Sequence, residues 1–315
     1  MTQKRIGVLM GGPSCEREIS IRSGKAVCGA LKNRNLKALP IELMPSFGSD
    51  NYADKVRMAI LSADINAAFI ALHGEFGEDG KIQGILEDLK IPYTGSGVAA
   101  SRAGMDKIRT KSIFRSGSIP VPEDRILERQ AFDNGFDASV YFRELGGKVV
   151  VKPYDGGSSI GLDIVSGAEG LRAAAMNAFR YSDKVMIEEY VPGREITVGI
   201  VEDRALPIVE IVPKREFFDF TAKYEKGLTE YIVPAKIDGD ARALCQDVAL
   251  AAHKALGARS FSRVDIILND SKGPVVLEVN TIPGLTETSL LPKAALAAGI
   301  DFEGLCLKIL DSASW

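Results

Sequence analysis

The chain of 315 residues is longer than one hydrophobic core usually organises, so two or three lobes are expected rather than a rod or a single repeat. Hydrophobic residues make up 46% and charged residues 26%, a balance that sets aside a disordered or low-complexity chain. The 39 Lys and Arg are offset by 42 Asp and Glu, and a net charge of −3 supplies no basic field for a nucleic-acid backbone.

Residues 4–10 form a short apolar run that ends in Gly11-Gly12-Pro13, too short for the core of a signal peptide. No later run approaches the ~18–20 apolar residues that span a bilayer, so a soluble, cytoplasmic protein without membrane contact is expected. The cysteines Cys15, Cys28, Cys245 and Cys306 are dispersed and form no CxxC, which argues against a disulfide framework or a zinc site. After the first glycine turn, Ile19, Ala26, Val27, Ala30 and Leu31 recur on one helical face. The same order of strand, loop and helix returns with residues 67–72, the loop 73–80, and Ile82, Ile85, Leu86 and Leu89. Such alternation predicts a parallel sheet covered by helices, with ligands at the carboxyl ends of the strands, where both loops fall.

From residue 148 the pattern becomes β-rich, with strands predicted at 148–153, 162–165, 184–191, 195–201 and 205–212. A helix over 240–256 follows, then strands 262–268 and 275–280 joined through residues 269–273. The chain is thus α/β in its first part and α+β in its second. Boundaries near 93–96 and near Ile187 divide it into lobes 1–94, 95–187 and 188–315, with Pro120 and Pro122 marking a bend inside the middle one.

Lys152 at a strand end, followed by Asp155-Gly156-Gly157-Ser158-Ser159, has the composition of a phosphate-binding loop, in which backbone N–H groups close on an anion and the lysine adds a point charge. It is not a P-loop, and a plain hairpin loop is the competing reading. In Leu277-Glu278-Val279-Asn280 the period of a strand puts Glu278 and Asn280 on one face, with Leu277 and Val279 directed to the core. Asp265 of Arg263-Val264-Asp265 can join them across the ladder, and three such oxygen ligands suit Mg²⁺. A solvated edge pair of charges is the alternative. Gly284 can bring a backbone N–H close to an anion, and Ser289, before an apolar helix, can bind a carboxylate or simply cap that helix. Glu16 sits where any first helical turn favours Glu, and His73 can be a loop hydrogen-bonder; His253 is given no role.

Several of these segments, in order, carry a resemblance: Glu16-Arg17-Glu18-Ile19-Ser20 with Ser23-Gly24, His73-Gly74-Glu75-Phe76-Gly77-Glu78-Asp79-Gly80, and Met105-Asp106-Lys107. They continue with the Lys152 loop, Gly193-Arg194-Glu195-Ile196-Thr197-Val198, Lys223-Tyr224, Arg263-Val264-Asp265, Glu278-Val279-Asn280-Thr281 and Pro283-Gly284-Leu285-Thr286. Over nearly its whole length the chain resembles the D-alanine:D-alanine ligases of the ATP-grasp superfamily. The resemblance implies a Rossmann-like N-terminal lobe before two ATP-grasp lobes. It also implies ATP-dependent joining of two D-alanines through a D-alanyl phosphate, for peptidoglycan precursors, by a cytoplasmic homodimer.

The resemblance further implies Lys107 and Lys152 at the ATP phosphates, the strand through Glu188, Glu189 and Val191 against adenine, Glu195 on the ribose, and Ser158, Ser159 and Lys223 as further ATP-binding residues. Asp265, Glu278 and Asn280 would hold Mg²⁺, with Mn²⁺ as a substitute and a monovalent cation such as K⁺ as a further cofactor. Glu16 would anchor the first D-alanine's ammonium, Arg263 and the Gly284 amide would form an oxyanion hole, and His73, Lys223, Ser289 and Leu290 would contact substrate. Ser158, Tyr224 and Glu16 would tie a lid, roughly 216–232, to the first lobe. Two departures from the family stand out: Phe217-Phe218-Asp219-Phe220 lacks the hydroxyls of a Tyr-Asp-Tyr run, and Gly156 stands where many members carry a longer side chain. Two alternatives carry weight: a ligase of the same superfamily for other amino acids, which should change Glu16, Tyr224 and the Ser289 region, and a nucleotide-binding sensor without activity, which should lose Arg263 or a metal ligand; the sequence keeps all of these residues.

Overall fold

The computed structural model describes residues 5–45, 51–157, 160–213 and 229–314. Its first sheet is built on β1 (Arg5–Gly11), which runs parallel to β2 (Lys37–Leu43) on one side and to β3 (Ala67–Ile70) on the other. A strand covered on both faces must be apolar at every position, and Ile6, Val8, Leu9 and Met10 are all buried. Helix α1 (Arg17–Asn33) packs Val27, Cys28 and Leu31 into the same core, each large side chain contributing about 1.5–3 kcal/mol of burial. Helices α2 (Tyr52–Ser62) and α3 (Lys81–Asp88) complete the lobe. β2 holds Pro40, which donates nothing to a ladder, and the strand accordingly lies at the sheet's edge.

Helices α4 (Val98–Met105) and α5 (Lys107–Ser116) lead to an antiparallel sheet of order β4-β7-β5-β6. It consists of β4 (Asp124–Glu128), β5 (Val149–Pro153), β6 (Asp163–Val165) and β7 (Lys184–Glu189), backed by α6 (Arg129–Asp133), α7 (Ala138–Leu145) and α8 (Ala168–Ala178). The third sheet has the order β11-β10-β8-β12-β13, with β9 paired to β8. Its strands are β8 (Arg194–Val201), β9 (Arg204–Ala205), β10 (Val209–Pro213), β11 (Thr229–Ile232), β12 (Phe261–Asn269) and β13 (Gly273–Asn280). Helix α9 (Gly239–Ala255) covers one face of it. Helices α10 (Leu290–Ala297) and α11 (Phe302–Asp311) follow.

The cores divide the chain differently from the sequence expectation. Ile187 lies inside β7, whose ladder continues through Glu188 opposite Asp124 and Glu189 opposite Val149, so the second boundary falls after that strand. The segment expected to open the middle lobe instead buries Ala103, Phe114 and Ile119 with Ile196, Val198 and Val264 of the third sheet. Helices α10 and α11 return to the first lobe, where Leu291, Leu305 and Ile309 share the core of Val8 and Leu31. The strand expected over 205–212 is split into β9 and β10 at Pro207, which has no N–H to give a ladder.

Candidate active site

Between the second and third sheets lies a cavity of 810 Å³ whose lining includes Lys107, Lys152, Glu188, Val191, Asp265 and Glu278. Glu189 and Glu195 line it as well, and Ile164, Ile267 and Leu277 add apolar wall. Two segments bring the lysines together. Asp106 caps α5 by accepting the Arg109 N–H at 2.9 Å, which fixes Lys107 in the first helical position. The Lys107 N–H donates to the Tyr154 carbonyl at 3.0 Å, and its Nζ donates to the Gly156 carbonyl at 2.6 Å, so the start of α5 is pinned to the loop after β5. Burial pushes the Lys107 ammonium below the ordinary lysine value, against the pull of Glu278.

Lys152 Nζ lies 2.6 Å from Glu188 Oε2. The other Glu188 oxygen accepts from Lys111 Nζ at 2.6 Å. Burial alone would raise the Glu188 carboxyl, but the two ammonium groups outweigh it and hold it at about 2. Glu189 is engaged elsewhere, with Oε2 2.6 Å from Lys272 Nζ and Oε1 accepting the Glu123 N–H at 3.1 Å. Lys111 and Glu210 were not singled out from the sequence, and Arg194 appeared there only within a motif; Arg194 and Glu210 line the cavity as a forked pair at 2.7 and 2.6 Å.

On the opposite wall β12 and β13 set Asp265 across from Glu278 and Arg263 across from Asn280. Asn280 Nδ2 donates to Asp265 Oδ2 at 3.1 Å and to Glu278 Oε1 at 3.4 Å. Asp265 also accepts two bonds from Arg263, at 2.9 and 2.7 Å, and one from Thr197 Oγ1 at 2.6 Å. Val279 is buried as expected, but Leu277 is not directed to the core. The ladder passes from Asp265–Glu278 to Ile266–Val276, so Leu277 is the extra residue of a β-bulge and joins Glu278 at the cavity wall. Three oxygen-bearing side chains converge here, the donor chemistry a hard divalent cation takes. No group of three or more His, Cys, Asp or Glu is arranged to hold a metal ion among the described residues, so the Asn280 amide oxygen is a necessary part of such a set.

Beyond Arg263 a second polar cluster sits at the carboxyl ends of the first sheet. His73 is buried, its Nε2 3.0 Å from Ser23 Oγ and its Nδ1 3.0 Å from the Ile282 carbonyl. Glu78 Oε1 lies 3.6 Å from His73 Nδ1. Burial pushes the Glu78 carboxyl up to about 7, with the His73 bond lowering it, Glu16 raising it and Arg263 lowering it. Ser14 ties the loops together, its hydroxyl donating to the His73 carbonyl at 2.8 Å and accepting the Glu16 N–H at 3.0 Å. Ser289 holds the N-cap position of α10 without capping it through its side chain. Its Oγ instead accepts the Thr286 N–H at 3.1 Å and lies 2.8 Å from Thr286 Oγ1, beside Gly284. Leu290 begins that helix. Ser158, Ser159, Lys223 and Tyr224, and residues 216–228 of the expected lid, lie outside the described residues, while its last four residues form β11. His253 is buried on Ser262, its Nδ1 2.7 Å from Oγ. All four cysteines are free.

Comparison with known proteins places this geometry among relatives. A family model described as D-ala D-ala ligase C-terminus matches residues 113–311, and one described as D-ala D-ala ligase N-terminus matches residues 46–96. The chain is 45% identical over 306 residues to a D-alanine–D-alanine ligase of Desulforudis audaxviator (strain MP104C), covering 96% of each chain. A crystal structure of D-alanine–D-alanine ligase from Bacillus anthracis is similar with a TM-score of 0.85 and 37% identity, over 98% of this chain and 97% of that one. The same enzyme complexed with ATP gives a TM-score of 0.82 at 35% identity over the same shares.

Proposed function

The chain belongs to the D-alanine–D-alanine ligase family and has its ATP-grasp fold, and from that premise we propose that it joins two D-alanines to D-alanyl-D-alanine, with ATP converted to ADP and phosphate, for peptidoglycan precursors. The observation that carries the reading is the meeting, through Arg263, of a lysine-lined cavity with the Glu16–His73–Glu78 cluster. A nucleotide and an amino acid would there lie end to end.

In the reaction a carboxylate oxygen of the first D-alanine attacks the γ-phosphorus of ATP, and ADP leaves. The amine of the second D-alanine, having lost its proton, attacks the acyl carbon, and the C–O bond to phosphate breaks. Adenine would occupy the apolar wall near Val191, with Glu195 toward the ribose and Lys107 and Lys152 on the phosphates. Asp265, Glu278 and Asn280 fit Mg²⁺, which when bound would offset the charge of the phosphates. Glu16 would receive the first ammonium, whereas Arg263 and the Gly284 amide would take the negative charge that develops on the acyl oxygen. Ser289 and Leu290, at the start of α10, would meet the second D-alanine with Lys223, and Ser158, Ser159 and Tyr224 would close the site. A donor-lined site that excludes water protects the acyl phosphate from hydrolysis.

No helix among the described residues is long and apolar enough to cross a membrane. We place the enzyme in the cytoplasm as a homodimer, a state that light scattering of the purified chain would test. Phosphate release from ATP against a panel of D- and L-amino acids tests the activity. D-alanine alone should support full turnover, and release with L-amino acids but not D-alanine would refute the assignment.

A further inference from the structure

Lys111 takes no part in the reaction as described, yet its side chain is buried at the seam between the nucleotide cavity and the rest of the chain. Its ammonium has three N–H bonds, and three acceptors surround it: Glu188 Oε1 at 2.6 Å, Asp124 Oδ1 at 3.0 Å and the Pro122 carbonyl at 2.8 Å. It therefore has none to give a ligand. Lys152 is different, since the partner the structure gives its Nζ is Glu188 at 2.6 Å and it lines the cavity.

These groups form an alternating row of Arg115, Asp124, Lys111, Glu188 and Lys152. Three cations against two anions leave one unit of positive charge, and Lys152 is the end of the row that faces the cavity. Without Lys111 the buried Glu188 carboxylate would have Lys152 as its remaining ion-pair partner, and the excess of the row toward the cavity would vanish. A buried carboxylate left with one partner holds that partner more tightly, because its desolvation is no longer shared. Position supports the same conclusion: Asp124 and Glu188 stand opposite each other on β4 and β7 of the second sheet, whereas α5 buries Phe114 in the core of the third. One lysine thus joins both sides of the cavity to its charge.

We propose that Lys111 is a positioning residue for the nucleotide: by holding Glu188 and Asp124 it leaves the Lys152 ammonium available to the phosphates of ATP. The inference rests on the ATP-dependent reading above. The test is calorimetric titration of the full-length protein with MgATP, alongside the KM for D-alanine. Lys111→Met should weaken MgATP by about tenfold or more, as loss of one partner of a buried pair does, and leave the KM for D-alanine within about twofold. In a Glu188→Gln background the same change should cost less than about threefold, since no carboxylate remains to capture Lys152.

Packing alone would instead lower the melting temperature equally in both backgrounds without a selective effect on ATP. An unchanged ATP affinity in folded Lys111→Met, or equal losses in the two backgrounds, would overturn the proposal. Should Lys111→Met fail to fold, Asp124→Asn decides the matter: it removes the other anion on Lys111, so MgATP should bind at least as tightly as in the wild type, and a large loss would contradict the role. A wild-type chain that binds MgATP but makes no dipeptide would remove the ligase reading and leave the role of Lys111 intact.

Discussion

Glu78 shows how far a single side chain can be set from its ordinary chemistry. Its carboxyl is held at about 7 in the folded chain, against 4.5 for the free group, chiefly by burial beside His73, Glu16 and Arg263. The folded state therefore keeps this proton between pH 4.5 and 7 while the unfolded state gives it up. The associated stability is complete below the lower value and is lost as pH rises through the upper one, up to about 3 kcal/mol in all. Denaturant unfolding of wild type and Glu78→Gln across that window should show a decline in the wild type that the variant lacks. Parallel curves would mean that Glu78 ionises freely. Glu278 makes a simpler case: Glu278→Gln removes an anionic oxygen from the set with Asp265 and Asn280 and changes the shape of β13 little. Turnover should fall by about two orders of magnitude or more while the melting temperature of the ligand-free chain barely moves. Wild-type turnover in that variant, or full activity in excess chelator, would end the metal assignment.

At the scale of elements, the site depends on the loop after β3 coming close to the start of α1. Gly74 has φ +67, and a Cβ there would stand 2.8 Å from Glu16 Oε2 and 2.9 Å from Ser14 Oγ. Gly74→Ala should push the Glu16 carboxylate aside and raise the KM for the first D-alanine about tenfold or more, with ATP binding little changed, as loss of a charge-assisted contact would. Equal effects on both substrates would place the damage in the fold instead. Both loops were legible in the sequence because apolar runs and glycines mark strand ends locally. The facing of Asp265 and Glu278 was legible for the same reason, through the period of a strand, but the period failed at Leu277 because one extra residue in a bulge reverses the face. Lys111 was not legible. It stands four residues after Lys107 on α5, and only the closure of β4 and β7 over that helix distinguishes it from an exposed lysine. Arg194 stood within a motif but was given no role, and its pairing with Glu210 went unread, since it arises across β8 and β10, sixteen residues apart.

At the scale of the whole molecule, chain order and core membership diverge, and the site lies where they cross. Helices α4 and α5 follow the first lobe yet complete the third core, while α10 packs against β8 and β10 of the third sheet and, with α11, joins that sheet to the core of the first. Lobe boundaries read from composition could not show this, because an apolar helix face does not reveal which sheet it will cover. The exchange has a structural result: α5, packed in the third core, brings Lys107 within the field of Glu278, and Ser289 stands at the start of a helix that bridges the first and third cores. The central claim is that this region transfers a phosphoryl group to a D-alanine carboxylate before the peptide bond forms. It is tested most directly with D-alanine labelled by ¹⁸O in its carboxylate, by mass analysis of the phosphate released from unlabelled ATP. One labelled oxygen in each phosphate, with one D-alanyl-D-alanine per ADP, is the predicted result. Phosphate free of label, or label without dipeptide, would contradict the account.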